Sequence, residues 1–168
     1  MPQRLVIAFV LAASTCLGCT TRLVSYRGIA PFAAASTFCD RAGRIRSLID
    51  AEIFTVRPDG SVGSSQPLAP MLAHEAVHRK QMEALRPAPG VCPRDPTWFE
   101  LVDAEVEAYC VEYGVWLQLG ADPGILSRGF SQSFRTQFRD VFGENVQQMV
   151  ASRWASKCPG YSLVWDAP

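Results

Sequence analysis

The pattern of apolar and polar residues predicts helices over much of the chain from Pro70 onwards. Pro70 suits the first turn of a helix, where the N–H that proline lacks would have no partner anyway. We predict that this helix runs to about Arg86, because Pro87 then ends it. Thr97-Trp98-Phe99-Glu100 has the form of a capping box and predicts a long helix that reaches about Leu119.

Two further helical segments are predicted after this long helix. Asp122-Pro123 is typical of a helix start. Gly143 interrupts the helical pattern that follows, and Glu144 to about Ser156 predicts a last helix. The segment before Gly143 carries apolar residues at helical spacing, namely Phe130, Phe134, Phe138, Val141 and Phe142.

Strand-like sequence precedes the first helix. The stretch Arg44–Val56 is rich in Ile, Leu, Phe and Val, and Pro58-Asp59-Gly60 then forms a turn signal. We expect one or two short strands here, most clearly around Glu52–Val56, followed by a loop over Gly60–Ala69. The pattern as a whole predicts an α+β fold that is mostly helical with a small sheet.

The N-terminal segment has the features of an export signal. Met1–Arg4 carries a positive charge, and Leu5–Gly18 is an apolar run that falls short of the ~20 residues a membrane span needs. Leu17-Gly18-Cys19 resembles the lipobox of bacterial lipoproteins, in which the cysteine becomes the lipidated first residue. We therefore predict a signal peptide over residues 1–19 and a membrane anchor through lipid on Cys19. Ordinary signal cleavage and an uncleaved anchor are the alternatives.

Length and charge narrow the class of protein further. Residues 20–40 are predicted to be a tether or lead-in and residues 41–168 a single domain, because 168 residues suffice for one domain with a hydrophobic core. The formal net charge is zero and no basic stripe is present. These properties argue against nucleic acid as a partner.

The cysteines agree with an exported protein. Of the six cysteines, Cys16 would leave with the signal peptide and Cys19 would carry lipid. An even number then remains in an oxidising compartment, which predicts two disulfides with three possible pairings. Buried free thiols are the alternative. The remaining cysteines are Cys39, Cys92, Cys110 and Cys158.

The segment His74-Glu75-Ala76-Val77-His78 is an HExxH motif that uses both histidines of the chain. On a helix, residues four apart lie about 40° apart and one turn along. Both imidazoles therefore point the same way and can bind one tetrahedral Zn²⁺ at about 2.0–2.1 Å. Glu75 lies about 100° round from His74, so we expect it to be the general base for a water whose pKa zinc can bring to about 7. A helix with two surface histidines is the alternative.

A catalytic zinc site needs a third protein ligand, and with no histidine left an acid has to serve. The long second helix offers Asp103, Glu105, Glu107 and Glu112. At about 100° per residue, Glu105 lies nearest the centre of the apolar stripe of this helix, roughly 75° from it. A carboxylate on the buried side requires a partner, which zinc would provide. Glu105 is the predicted third ligand, and Asp103 is the second choice.

These residues resemble the gluzincin-type zinc metallopeptidases. Their HExxH on one helix and ExxA-D/Y on a later helix are similar to His74–His78 and to Glu105-Val106-Glu107-Ala108-Tyr109. His78-Arg79-Lys80-Gln81 is similar to the HExxHxxQ form of small bacterial members. The resemblance covers roughly residues 50–120. It implies a minimal zincin-like fold with both helices beside a small, mainly antiparallel sheet, hydrolysis of peptide bonds, and Glu105 as the metal ligand.

The chain departs from larger gluzincins because no histidine is left to stabilise an oxyanion. Tyr109 and Tyr113 are the candidate donors, with Arg79 as a further one, and core packing is the alternative for the tyrosines. The functional prediction is a zinc metallopeptidase of the bacterial cell envelope that acts on a peptide or protein substrate. The alternative is a non-catalytic lipoprotein that keeps the zincin scaffold and serves as a binding or assembly factor.

Overall fold

In the part of the chain that the structure describes, the β-strands precede the α-helices. A computed structural model describes residues 22–24, 35–50, 53–56, 58–59, 61–64 and 67–165. The chain divides into two units, with the boundary between Arg94 and Asp95. The predicted signal peptide with Cys19 lies outside the described residues, as does much of the predicted tether.

The described residues of the first unit form two small sheets. The larger has the strand order β1 (Arg22–Val24), β3 (Ile45–Asp50), β2 (Ala35–Cys39), in which β1 is parallel and β2 antiparallel to β3. The smaller sheet pairs β4 (Phe54–Val56) with β5 (Val62–Ser64) in antiparallel fashion. The strands predicted over Arg44–Val56 are confirmed as β3 and β4.

The prediction of a loop over Gly60–Ala69 is wrong at its start, because β5 lies there. This strand has the sequence Val-Gly-Ser, and glycine and serine have little intrinsic preference for strands. Its pairing with β4 follows from the turn between them. Asp59 accepts hydrogen bonds through Oδ1 from the backbone N of Ser61 at 2.9 Å and from its Oγ at 2.6 Å, which closes the turn locally.

A tight turn joins β2 to β3 and is organised by the carboxylate of Asp40. Its Oδ1 accepts hydrogen bonds from the backbone N–H groups of Ala42 and Arg44, and its Oδ2 accepts from Nε of Arg44 and Arg46. Gly43 has φ +68°, a conformation that favours glycine. The Arg46 guanidinium, foremost, and the Arg44 backbone N–H hold the pKa of the Asp40 carboxyl well below its usual range.

The same turn is tied to the segment that follows the first helix. Nη2 of Arg86 donates to the carbonyl of Gly43 at 2.7 Å. A disulfide joins Cys39, the last residue of β2, to Cys92, with the Cα atoms 5.7 Å apart. Closing a loop of this length restricts the unfolded chain by an amount worth roughly 4 kcal/mol. These links hold β2 beside the helix that it packs against.

Helix α1 runs over Leu68–Ala84, within two residues of the predicted bounds. Pro70 is buried in its first turn, and the helix packs against β2 and β3 of the larger sheet. Since α1 carries the HExxH motif, this packing sets which strand side chains reach the motif.

The second unit is helical, with α2 (Trp98–Gln118), α3 (Pro123–Phe142) and α4 (Val146–Lys157). The predicted capping box is confirmed. Thr97 Oγ1 accepts from the backbone N of Glu100 at 3.3 Å, and the Glu100 carboxylate accepts from the backbone N of Thr97 at 2.8 Å. Asp122 caps α3 by accepting from the backbone N of Ile125 at 2.9 Å.

The core of the second unit forms where the three helices meet. Phe130, Phe134 and Phe138 of α3 are buried, which confirms that this stripe of aromatic residues packs inward. A second disulfide, Cys110–Cys158, joins α2 to the end of α4. The other buried members of this core are Val102, Val106, Tyr113, Val146, Val150 and Trp154.

The α+β class is confirmed, and so are the two disulfides. Their presence indicates folding in an oxidising compartment outside the cytosol. None of the helices in the described part of the chain combines the length and the apolarity that crossing a membrane requires.

Candidate metal centre

The two motif histidines lie one turn apart on α1 and face each other. His74 is buried and His78 is half-buried. Their Nε2 atoms are 2.9 Å apart, and their rings meet edge to face with centroids 4.7 Å apart. The helical spacing therefore places both nitrogens at one point, as the motif predicts.

The side chain of Gln81 contacts the nitrogen of His78 that does not face His74. Its side-chain Oε1 lies 2.9 Å from Nδ1 of His78. An amide oxygen here accepts a hydrogen bond from Nδ1–H, and in that tautomer the lone pair of His78 is on Nε2. This is the tautomer that a metal-binding imidazole needs. In the sequence, Gln81 is recognisable only as the last residue of the HExxHxxQ form, which by itself indicates no role.

The four acids of α2 that the sequence offers as third ligand have different surroundings. Glu105 is 9% exposed, whereas the side chains of Asp103 and Glu107 are 44% and 53% exposed. Within the helical unit, Arg153 lies 3.0 Å from Asp103, Lys157 lies 4.0 Å from Glu107 and Trp116 lies 3.1 Å from Glu112. Burial thus separates Glu105 from the other acids, in agreement with the prediction from the helical wheel.

His74, His78 and Glu105 form a group that can hold a metal ion. Each offers a ligand atom, and these atoms all lie within 4.8 Å of one another. Two imidazole nitrogens and one carboxylate oxygen are a donor set typical of catalytic zinc. Tetrahedral ligands at about 2.05 Å from zinc lie about 3.3 Å from each other, which is close to the 2.9 Å between the two histidine nitrogens. The donor set therefore fits zinc.

Glu75, the predicted general base, is 6% exposed and is held by a residue that the sequence analysis missed. Oγ1 of Thr37, in the middle of β2, donates to Oε2 of Glu75 at 2.6 Å. The hydroxyl of Ser47 on β3 lies 2.8 Å from the same Oγ1. A threonine 38 positions before the motif residue leaves no local signal in the sequence. Only the packing of α1 against β2 shows that the two residues are in contact.

The two tyrosines proposed as oxyanion donors lie in the helical unit. Tyr113 is buried, and its hydroxyl donates to the carbonyl of Pro123 at 2.9 Å. Burial, foremost, raises the pKa of this phenol above its usual value, with the Asp122 charge adding to the effect. The ring of Tyr109 packs edge to face on Phe134 with centroids 4.9 Å apart. These contacts favour the packing alternative for Tyr113, and the oxyanion role of both tyrosines stays a prediction.

No match to this chain is found among protein-family models, curated proteins or solved structures. The case for its function therefore depends on the residues and their geometry.

Proposed function

We propose that this chain is a zinc-dependent metallopeptidase that hydrolyses peptide bonds in the bacterial cell envelope. The observation that carries the proposal is the group of His74, His78 and Glu105, whose ligand atoms lie within 4.8 Å of one another. A buried carboxylate, Glu75, follows the first of these residues directly in the chain. A structural metal site does not need a buried acid of this kind, whereas hydrolysis needs a base.

His74, His78 and Glu105 would hold the ion, and Gln81 would keep His78 in the binding tautomer. Zinc held there would supply Lewis acidity and would lower the pKa of a bound water to about 7. Glu75 would take a proton from the attacking water and return it to the leaving amine nitrogen. Since Glu75 is buried, its charge acts in a medium of lower effective dielectric than water.

The cellular location is part of the proposal. The two disulfides suit an oxidising compartment, and the segment Leu17-Gly18-Cys19 suits lipid attachment at Cys19. The protein would then act from a membrane anchor on peptides or proteins of the envelope. A Cys19→Ser variant that still incorporates labelled fatty acid would contradict this part.

The decisive experiment compares wild type with Glu75→Gln. Zinc per chain is measured by mass spectrometry of metals, and turnover is measured on a library of internally quenched peptides and on peptidoglycan stem peptides. We expect Glu75→Gln to hold one zinc and to lose about 100-fold or more of the turnover, the range of general-base catalysis. Glu83→Gln, an exposed position on the same helix, is the matched control and should keep full turnover.

Two results would overturn the proposal. Unchanged turnover in Glu75→Gln would remove the assigned base. Wild type that holds zinc but cleaves neither set of peptides would favour the binding or assembly factor instead. Exposed aromatic residues are consistent with that second function, since Trp98 and Phe99 at the start of α2 are 53% and 56% exposed and aromatic side chains are enriched at protein interfaces.

A further inference from the structure

We infer that Thr37 is a positioning residue for the carboxylate of Glu75, and that Ser47 holds Thr37 in place. The inference rests on the proposed function for its catalytic consequence. The contacts themselves lie within the first unit, between β2, β3 and α1. They join the hydroxyl of Thr37 to Glu75, which directly follows the candidate metal ligand His74 in the chain.

The direction of the hydrogen bonds follows from counting protons. Oγ1 of Thr37 has one proton and three oxygen neighbours, Oε2 of Glu75 at 2.6 Å, the hydroxyl of Ser47 at 2.8 Å and the backbone carbonyl of Glu75 at 3.3 Å. An ionised carboxylate accepts only, and bonds to it are the shorter and stronger ones. The threonine proton therefore points to Glu75, and Ser47 donates its own proton to Thr37.

The register of the sheet explains why Ser47 is available. Thr37 and Ser47 are direct partners in the antiparallel pairing of β2 with β3. Opposed residues project from the same face of a sheet with their side chains in contact. Ser36 is next to Thr37 on β2 and projects from the other face. The face that carries the two hydroxyls is the one that reaches Glu75.

Holding the carboxylate matters because Glu75 has several rotatable bonds and must meet a water at one place. A misplacement of about 1 Å can cost a factor of about 100 in rate. With one oxygen engaged by Thr37, the orientation of the other oxygen is set as well. The contact supplies orientation and leaves the metal ligands untouched.

The test combines a double-mutant cycle with kinetics. Thr37→Val, Glu75→Met and the double variant are unfolded with urea as zinc-saturated protein, with zinc content checked in each. We expect Thr37→Val to lower the folding equilibrium constant about tenfold more when Glu75 is present than in the Glu75→Met background, which corresponds to about 1.4 kcal/mol of coupling. Additive effects would overturn the inference, because a merely structural threonine costs the same in both backgrounds.

The kinetic arm uses the peptide that wild type cleaves best. Thr37→Val should lower kcat about tenfold with little change in KM, and Thr37→Ser should restore most of it, since only the hydroxyl is needed. Ser36→Ala, on the other face of β2, is the control and should match wild type. Unchanged kcat in Thr37→Val would overturn the positioning role. Retained activity in Glu75→Gln would instead overturn the proposed function, so the two failures are distinct.

Discussion

Gln81 lies three residues after His78 on α1, and its side-chain oxygen is 2.9 Å from Nδ1 of the imidazole. The contact suits the tautomer with the proton on Nδ1, in which the lone pair of His78 is on Nε2, 2.9 Å from Nε2 of His74. Gln81 thereby supports the tautomer in which Nε2 of His78 is available to a metal ion.

Replacing Gln81 by leucine removes this hydrogen bond and keeps a side chain of similar size. We expect zinc affinity to fall about 10–100-fold, the usual cost of losing such an outer partner. Competition with a chromogenic chelator measures the affinity. Lys80→Ala, at the exposed neighbouring position, is the control. Equal affinities for wild type and Gln81→Leu would contradict the tautomer argument.

The two candidates for the third ligand, Glu105 and Asp103, can be distinguished because their alanine variants should affect zinc affinity differently. Glu105→Ala should lower zinc affinity by more than the roughly 100-fold upper range for an outer partner. Asp103→Ala should leave zinc affinity unchanged, because that carboxylate is already paired with Arg153 at 3.0 Å. Metal analysis after dialysis against graded chelator measures both. The reverse ranking would make Asp103 the ligand.

Gly43→Ala should destabilise the first unit strongly. A Cβ there would lie 1.7 Å from the carbonyl oxygen of Gly90, and the backbone has φ +68°. Gly120 has a similar φ of +83° but open space around it. Gly120→Ala therefore measures the cost of the left-handed conformation without a steric clash, about 1–2 kcal/mol. In urea unfolding, Gly43→Ala should cost at least twice as much as Gly120→Ala. Equal losses would show that the turn can move away from Gly90.

The carboxyl of Asp40 should make stability depend on pH in the acid range. Its pKa is lowered in the folded protein, chiefly by Arg46 and then by the backbone N–H of Arg44. A lowered pKa contributes stability that is present above the unfolded-state value of about 3.9 and is lost as the pH falls below it. The unfolding midpoints of wild type and Asp40→Asn should therefore differ most near pH 6 and converge towards pH 2. When Arg46→Gln is introduced into both proteins, the difference between their unfolding midpoints near pH 6 should become smaller. A gap independent of pH would contradict the assignment.

Much of the helical half could be predicted from the sequence. The capping box at Thr97, the N-cap at Asp122 and the prolines near the helix ends act within a few residues of themselves. The aromatic stripe of α3 likewise has the period of one helix. Local signals of this kind are sufficient because a helix closes its hydrogen bonds within one turn. Strands are harder to predict. β1 and β2 lie within the predicted tether, and β5 was not expected because its pairing with β4 outweighs the weak preference of Val-Gly-Ser.

Some residues of the candidate site could likewise be predicted from the sequence, and others could not. Two histidines four residues apart on a helix point in one direction, so His74, His78 and the adjacent Glu75 follow from the sequence alone. The choice of Glu105 among four acids followed partly from the helical wheel, and burial then distinguished it from its neighbours. Only the tertiary structure shows that Thr37 and Ser47 belong to the site. Their contact with Glu75 depends on the register of β2 with β3 and on the packing of α1 against that sheet, and interactions across 38 residues leave no periodic trace in a single sequence.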